Sequence, residues 1–513
     1  MSGTIMTRRN LLKAMGVGAA ALAPPSFVRA KASGGAGDLP NIVNIYADDL
    51  GYGDLSCYNP KAAYKTPRLD QMAKEGARFT RFYAVASICS PSRAGLLTGS
   101  YPQRCGLYMG ISPQRAEHCN LGLHPSETTI AESLKAAGYA TLCVGKWHLG
   151  GDDVFHPMNH GFDEYFGMPF NYHHSPILMR GRNVVAKKAD LSALTQNYTK
   201  AVVEFITRKK DVPFFIYLPH TFPHLPLAAS AKFKGKSKAG IYGDCIEEID
   251  WSTGQILDTL KTLGLDENTI VIFTSDNGPA PQFAKQYQSA GPLKGSKYTS
   301  FEGGQREPCI VRWSGKIPPG QTCSELACTM DFLPTILGQA GGKLPKNEID
   351  GKDIFPLIDG TASAKSPRDV LYYYNCDNLQ AVTRGHWKLH LPRTVEQCPF
   401  WQKTKGWTEL KTPKLFNLST DVAEANDVAA ANPEIVKELL ELAQAGREQF
   451  GDYGKRGSKQ RATGDARILT PDAAKPVAPK PPKKSKKPAK SKKPANPNAK
   501  SKSNSPRRTP KNK

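Results

Sequence analysis

The chain has 513 residues, enough for roughly two to four domains at about 150 residues each and for a sizeable buried core. Its 69 Lys and Arg against 46 Asp and Glu give +23, but residues 471–513 hold 13 Lys, 2 Arg and one acid, so +14 sits there and +9 is left for the first 470 residues. The body is therefore not marked as a polyanion binder. Eleven cysteines with no Cys-x-x-Cys and no Cys/His zinc spacing indicate neither a dense disulfide framework nor a zinc site.

At the N-terminus, Arg8-Arg9 precedes a weakly apolar stretch, residues 14–28, bounded by Lys13 and Arg29 and too short to span a bilayer. Val28-Arg29-Ala30 and Ala30-Lys31-Ala32 place small residues at signal-peptidase spacing. Residues 1–32 thus resemble a twin-arginine signal peptide. The expectation is a protein exported by the twin-arginine machinery to the periplasm or beyond.

A strand is expected at 41–46, ending abruptly in Asp48-Asp49. Thr66-Pro67 opens a helix that stops at Gly76, and residues 126–137 repeat the pattern with Gly138 as stop. Strands at 139–144, 213–218 and 269–274 then alternate with helices near 194–207 and 242–263. Such alternation predicts an α/β fold: a mainly parallel sheet with helices on both faces and ligand sites at strand C-terminal ends. The polar clusters fall at those ends: Asp48-Asp49, Lys146-Trp147-His148, His220 with His224, and Asp276-Asn277.

After about residue 360 the texture changes. Short strands at 370–374, 379–383 and 386–391 and a helix at 433–450 predict a smaller α+β domain with an antiparallel sheet. The expected organisation is a signal at 1–32, a catalytic domain at 38–360, an α+β subdomain at 361–455 and a disordered Lys/Pro-rich tail at 456–513. Ten prolines and no Leu, Ile or aromatic residue in the last 43 positions leave that tail without a core. Its lysines suit an anionic envelope polymer. No aromatic interleaves for base stacking, so no specific nucleic acid is expected.

Asp48, Asp49, Asp276 and Asn277 offer only oxygen ligands, which suit a hard cation such as Ca2+. Three Asp in one pocket repel one another unless a divalent ion or cationic side chains compensate. Ser90 can cap a helix opened by Pro91, which puts Cys89 at a helix N-terminus that favours anions.

Cys89-Ser90-Pro91-Ser92-Arg93, followed by Leu97-Thr98-Gly99, resembles the signature of the type I, formylglycine-dependent sulfatases of the alkaline phosphatase superfamily, in which the cysteine is oxidised to formylglycine. Ala47-Asp48-Asp49-Leu50-Gly51-Tyr52-Gly53, Val144-Gly145-Lys146-Trp147-His148, Pro223-His224-Leu225-Pro226, Thr274-Ser275-Asp276-Asn277-Gly278 and Lys297 before Glu302-Gly303-Gly304 are similar to the corresponding arylsulfatase motifs. The resemblance implies Ca2+ held by Asp48, Asp49, Cys89 after conversion, Asp276 and Asn277. It implies that Arg93 and Lys146 hold the aldehyde hydrate and its charge, and that His148 is the base. His224, Lys297 and Lys146 would bind sulfate and stabilise the leaving oxygen. A sulfated small molecule or polysaccharide is the implied substrate, and a formylglycine-generating or sulfatase-maturing enzyme the implied partner.

Two competing functions stand beside it: a phosphomonoester or phosphonate hydrolase on the same fold, and a non-catalytic binder of sulfated glycans with Cys89 unmodified. His220 and His224 lie among prolines and do not form a helical zinc pair. His220 is expected to be a neighbour or subsite residue. His118, His124, His173 and His174 are expected at the surface or in a subsite, and loops 165–190, 281–296 and 393–410 are expected to set specificity.

Overall fold

The computed structural model describes residues 39–397 and 409–470. The expected signal segment, residues 471–513 of the expected tail and most of the 393–410 loop lie outside the described residues.

Strands β1 (Asn41–Ala47), β2 (Ala77–Tyr83), β4 (Ala140–Lys146), β5 (Glu164–Met168), β6 (Leu178–Arg180), β7 (Asn183–Ala186), β8 (Phe214–Pro219), β9 (Thr269–Ser275), β10 (Arg306–Arg312) and β11 (Gln321–Cys323) form one sheet in the order β11-β2-β10-β9-β1-β8-β4-β5-β6-β7, and β12 (Ala327–Cys328) pairs with β2. The centre is parallel: β1 pairs with β8 and β9, and β4 with β8 and β5. β10 runs antiparallel to β9 and β2. All seven residues of β1 are buried, as expected for a strand covered on both faces.

Side chains alternate across the sheet. Val43 and Ile45 join one core with Leu69, Met72, Val202, Phe205, Ile249 and Ile256, from helices Pro67–Glu75, Leu194–Lys209 and Gly240–Thr262. Ile42 and Tyr46 join another with Leu96, Leu97, Leu134, Leu333 and Ile336, from helices Cys89–Thr98, Ile130–Ala136 and Phe332–Gln339. The expected helix at 126–137 starts later, at Ile130, because Thr129 and Glu132 close a reciprocal capping box.

A second sheet, β13 (Val370–Asn375), β14 (Asn378–Arg384), β15 (Trp387–His390) and β16 (Lys414–Asn417), is antiparallel. Helix Pro433–Phe450 buries Leu439, Ala443 and Phe450 in a core with Tyr373, Leu389 and Leu415 from this sheet. Where this region meets the main sheet, a buried ionic network forms. Lys388 Nζ lies 2.8 Å from Glu302 Oε1 and 3.2 Å from Glu424 Oε1, and His390 Nε2 lies 2.6 Å from Glu424 Oε1. Tyr83 Oη donates to Glu302 Oε2 at 2.7 Å and the Glu302 amide to Glu424 Oε2 at 2.7 Å.

Residues 456–470 differ from the expected tail. Arg461 donates to both oxygens of Glu127 at 2.6 and 2.7 Å, Thr463 Oγ1 donates to the Gly106 carbonyl at 2.6 Å, and β17 (Gly464–Asp465) pairs with β3 (Leu121–Gly122). Composition hid this because the segment is held by polar partners far away in sequence, with Ala466 its one buried apolar residue.

Candidate active site

Four adjacent strands, β9, β1, β8 and β4, converge at their C-terminal ends. Ala47 of β1 pairs with Ser275 of β9 and Tyr46 with Pro219 of β8, so the residues that follow each strand meet above the sheet edge. β1 delivers Asp48 and Asp49, β9 delivers Asp276 and Asn277, β4 ends on Lys146 with His148 just beyond, and β8 leads to His224. Gly145 allows β4 to approach β8 closely; a Cβ there would lie 1.9 Å from the Pro219 carbonyl oxygen. Asp49, His148 and Tyr298 all adopt left-handed backbone (φ 66, 59 and 74°). Non-glycine residues take that conformation rarely and at a cost, and such residues cluster at functional sites.

The helix Cys89–Thr98 opens at the cluster. The expected Ser90 cap is not formed: the helix begins two residues earlier, at Cys89, with Ile88 as N-cap and no side-chain cap bond. Ser90 Oγ instead accepts from the Ile111 amide at 3.4 Å. Cys89 therefore occupies the first helical turn, only 6% exposed. One turn on, Arg93 is fully buried. Its Nη2 lies 2.7 Å from Asp276 Oδ2 and 3.5 Å from Asp48 Oδ1, and its Nη1 donates to the Lys146 carbonyl at 2.7 Å.

Opposite charges interleave through the centre. Lys146 Nζ lies 2.6 Å from Asp48 Oδ2, and Lys297 Nζ lies 2.5 Å from Asp49 Oδ1. Asn277 Nδ2 donates to Asp49 Oδ1 at 2.8 Å and the Asp49 amide to Asp276 Oδ1 at 3.1 Å. His224 Nε2 is 3.8 Å from Asp49 Oδ2, while its Nδ1 sits 2.6 Å from the Leu225 carbonyl.

These neighbours set the ionisation. Burial raises the Asp49 carboxyl, but the Lys297 ammonium beside it opposes this, and the group is held below its ordinary value. Burial and Asp48 push Asp276 up. Burial opposes the charge on Lys297, yet Asp49 raises its pKa well above that of a free lysine. His148 is driven well below 6.5 by burial and by Lys146, and His224 by burial and Lys297, so both imidazoles rest neutral.

The arrangement leaves room for a cation. Asp48 Oδ1 and Asn277 Oδ1 are buried with no hydrogen-bond partner. Candidate ligand atoms of Asp48, Asp49 and His224 lie within 4.8 Å of one another. Buried acceptors are normally satisfied, so orphaned oxygens in an oxygen-rich set fit a hard divalent ion.

Loop 294–302 carries Lys297 and is held from two sides. The Lys297 and Tyr298 amides donate to the carbonyls of Pro279 and Ser87, both at 2.9 Å. From the small sheet's side, Asn375 Nδ2 donates to the Tyr298 carbonyl at 2.9 Å, Gln380 Oε1 accepts from Ser300 Oγ at 2.8 Å, and the Glu424 carbonyl accepts from Lys294 Nζ at 3.0 Å.

A cleft of about 620 Å³ opens over this centre, lined by Asp49, Cys89, His148, His224 and Lys297 among others. Arg93, Lys146, Asp48, Asp276 and Asn277 lie fully buried beneath. His173 and His174, left between surface and subsite by the sequence, line the cleft, whereas His220 is fully buried and does not. Loops 165–190 and 281–296 both reach the lining, through Asn171 and Gln282. Arg115 and Tyr298 were missed; neither lies in a strand-end motif.

The sulfatase family model matches residues 40–342, and the model described as the C-terminal region of aryl-sulfatase matches residues 366–474. The chain belongs to the sulfatase family. This sulfatase is 40% identical over 403 residues to the N-acetylgalactosamine-6-sulfatase of Canis lupus familiaris, an alignment covering 74% of each chain. It is 35% identical to arylsulfatase A of Homo sapiens over 464 residues, 82% of this chain and 90% of that one. Among solved structures, one from Bacteroides thetaiotaomicron, described under the metabolism of multiple glycosaminoglycans, superposes with a TM-score of 0.73 at 30% identity and covers 80% of this chain and 99% of that one. The large mixed sheet flanked by helices is the alkaline-phosphatase-like fold of these enzymes.

Proposed function

We propose that this sulfatase cleaves sulfate monoesters of sugars, with Cys89 in its formylglycine form as the nucleophilic side chain and Ca2+ held by Asp48, Asp49, Asp276 and Asn277. The observation that supports it is the orphaned pair Asp48 Oδ1 and Asn277 Oδ1 beside a cysteine in the first turn of a buried helix. An aldehyde hydrate at position 89 would supply two hydroxyls on one carbon, one to take the sulfuryl group and one whose deprotonation releases it. Bound Ca2+ would polarise the sulfate oxygens.

The chain's own residues do the rest. Arg93, anchored by Asp276 and the Lys146 carbonyl, and Lys146, anchored by Asp48, present fixed positive charge to the side chain at position 89. His148 is neutral and available to accept a proton, with its Nε2 3.1 Å from the Ile111 carbonyl. Lys297 and His224 face the cleft on the Asp49 side, where they bind sulfate and stabilise the departing oxygen. Burial of all these charges excludes water that would otherwise compete. A sugar is favoured as the leaving group by the relatives, one named for N-acetylgalactosamine 6-sulfate.

We further infer export through residues 1–32 and electrostatic tethering through the +14 of residues 471–513. No helix among the described residues is long and apolar enough to cross a membrane.

The test is mass spectrometry of the peptide containing Cys89, from protein co-expressed with a maturing enzyme, alongside turnover of 4-nitrophenyl sulfate. Conversion removes sulfur and gains activity in proportion. Equal turnover by protein in which Cys89 remains a thiol would refute the mechanism.

A further inference from the structure

The turn after β1 is closed by one buried carboxylate. Asp54 is fully buried; its Oδ2 accepts from the Gly51 amide at 2.7 Å and from Tyr242 Oη at 2.6 Å, and its Oδ1 accepts from Tyr64 Oη. Burial pushes its pKa up to about 6 against the pull of these neutral donors, so at neutral pH it is an ionised acceptor. The same turn is pinned along its length. The Asp49 amide donates to Asp276 Oδ1 at 3.1 Å, the Leu50 amide to Ser275 Oγ at 3.0 Å, the Gly53 amide to the Ser289 carbonyl at 2.7 Å and the Asp54 amide to the Gly51 carbonyl at 3.1 Å. Asp49, which opens the turn, has φ 66°, a conformation that a non-glycine residue keeps only where its surroundings over-determine it.

Asp54 also ties that turn to a wall of the cleft. Gly51 packs so closely on the neighbouring loop that a Cβ would lie 2.3 Å from the Ser289 carbonyl oxygen. Tyr242, from the helix Gly240–Thr262, stacks on Tyr287 with ring centres 4.8 Å apart and meets Phe283 at 4.3 Å. Those two residues belong to the helix Pro281–Tyr287, whose first residues, Pro281 and Gln282, line the cleft. From Ser289 the chain runs on to the loop that carries Lys297, whose Nζ lies 2.5 Å from Asp49 Oδ1. One carboxylate thus sits where the segment bearing Asp49 meets the segment leading to Lys297. Asp54 itself is not part of the lining, so it acts through these neighbours and not on the substrate.

We propose that Asp54 is a positioning residue for the calcium carboxylate Asp49: it closes the turn that holds Asp49 left-handed and docks that turn on the segment leading to Lys297. This rests on the calcium reading of Asp48, Asp49, Asp276 and Asn277. It adds a buried group, remote from the substrate, on which cation affinity depends. Without the carboxylate, two phenols and the Gly51 amide lose their shared acceptor, the turn relaxes, and Asp49 is no longer preorganised for the ion.

The test measures the Ca2+ dissociation constant of the full chain by competition with a chelator, beside Tm, in wild type, Asp54→Asn, Tyr242→Phe and Leu439→Ala. Leu439 is buried in the core of the small antiparallel sheet and serves as a control that destabilises without touching the turn. Asp54→Asn should weaken Ca2+ binding by roughly 10- to 100-fold, the range for losing a group that orients a metal ligand. Tyr242→Phe removes one donor, leaves the carboxylate, and should weaken binding by about three- to tenfold. Leu439→Ala should lower Tm while leaving the constant within about twofold of wild type. In converted enzyme at saturating Ca2+, Asp54→Asn should still lose kcat/KM on 4-nitrophenyl sulfate by about tenfold or more, because Lys297 is displaced with Asp49. The idea is overturned if Asp54→Asn binds Ca2+ as tightly as wild type, or if Leu439→Ala weakens binding as much for the same fall in Tm. Should Asp54→Asn not fold, Tyr242→Phe takes its place under the same two criteria. Wild type that binds no Ca2+ would instead refute the calcium reading, and this proposal with it.

Discussion

Two clusters of buried charge sit within one molecule, and they differ in one respect. Around Glu302, Lys388, His390 and Glu424, all four carboxylate oxygens accept from a named donor: Lys388, Tyr83, His390 or the Glu302 amide. Around Asp48, Asp49, Asp276 and Asn277, strong ion pairs coexist with two buried oxygens, Asp48 Oδ1 and Asn277 Oδ1, that accept no hydrogen bond. Burial and charge alone therefore do not distinguish a site from a scaffold. An acceptor set left incomplete at the foot of a cleft does, because a ligand must complete it.

The sharpest break of this contrast is at Cys89. Cys89→Ala should lower turnover of an aryl sulfate by about 10⁴-fold or more, with Tm nearly unchanged, since the role proposed for the residue is nucleophilic and not one of packing. Cys89→Ser should be almost as inactive over many turnovers, because a single hydroxyl can accept sulfate but lacks the second needed to release it. Multiple turnover near wild type by either variant would place Cys89 with the scaffold.

Next comes the incomplete set. Chelation, or Asp276→Ala, should reduce activity by about 10²-fold or more and lower Tm together, because an ion bound only to the native state stabilises it by mass action. Elemental analysis should show Ca2+ lost, and Ca2+ should restore the chelated wild type better than Zn2+. Full activity in metal-free protein would mean Lys146 and Lys297 neutralise the carboxylates unaided.

The complete network should respond in the opposite sense. Lys388→Met strands two buried carboxylates and should destabilise by about 3–5 kcal/mol. Adding Glu424→Gln should return part of that loss, which a double-mutant cycle in denaturant measures. Additive losses would show that the pair does not act as a unit.

The smallest effect concerns His220, which belongs to the fold rather than the cleft. Burial lowers its pKa to about 3, against 6.5 for a free imidazole. A depressed value means that its contribution to stability is complete above pH 6.5. It is lost as pH falls toward 3, because only the unfolded chain binds the proton readily. The loss is at most about 1.4 kcal/mol per pH unit. His220→Leu should therefore show a flatter Tm curve than wild type between pH 6.5 and 4.5. Parallel curves would show that His220 does not supply this acid sensitivity.

Much of this was legible in the sequence, for a physical reason. Buried parallel strands read as apolar runs, and the residues after each run must meet at one edge, so Asp48, Lys146, His224 and Asp276 could be placed together from spacing alone. Arg115 could not, because its turn is positioned by Gln114 reaching the His173 carbonyl, a contact 59 positions away. Ser90 misled because a serine before proline looks like a cap, whereas the helix starts on Cys89. Residues 456–470 misled because composition reports core-forming capacity and not a salt bridge such as Arg461 to Glu127.

The grip on loop 294–302 also has a meaning in time. Every residue proposed to act at the site lies before position 300, yet Asn375, Gln380 and Glu424 hold that loop from the far side. A chain made from its N-terminus at about 5–20 residues per second exposes Cys89 roughly twenty seconds to a minute before Glu424 emerges. During that interval the lysine loop lacks its support and the cysteine lacks its finished enclosure. Any enzyme that oxidises Cys89 has this interval, set by the order of the sequence, before the fold closes over a side chain that ends 6% exposed.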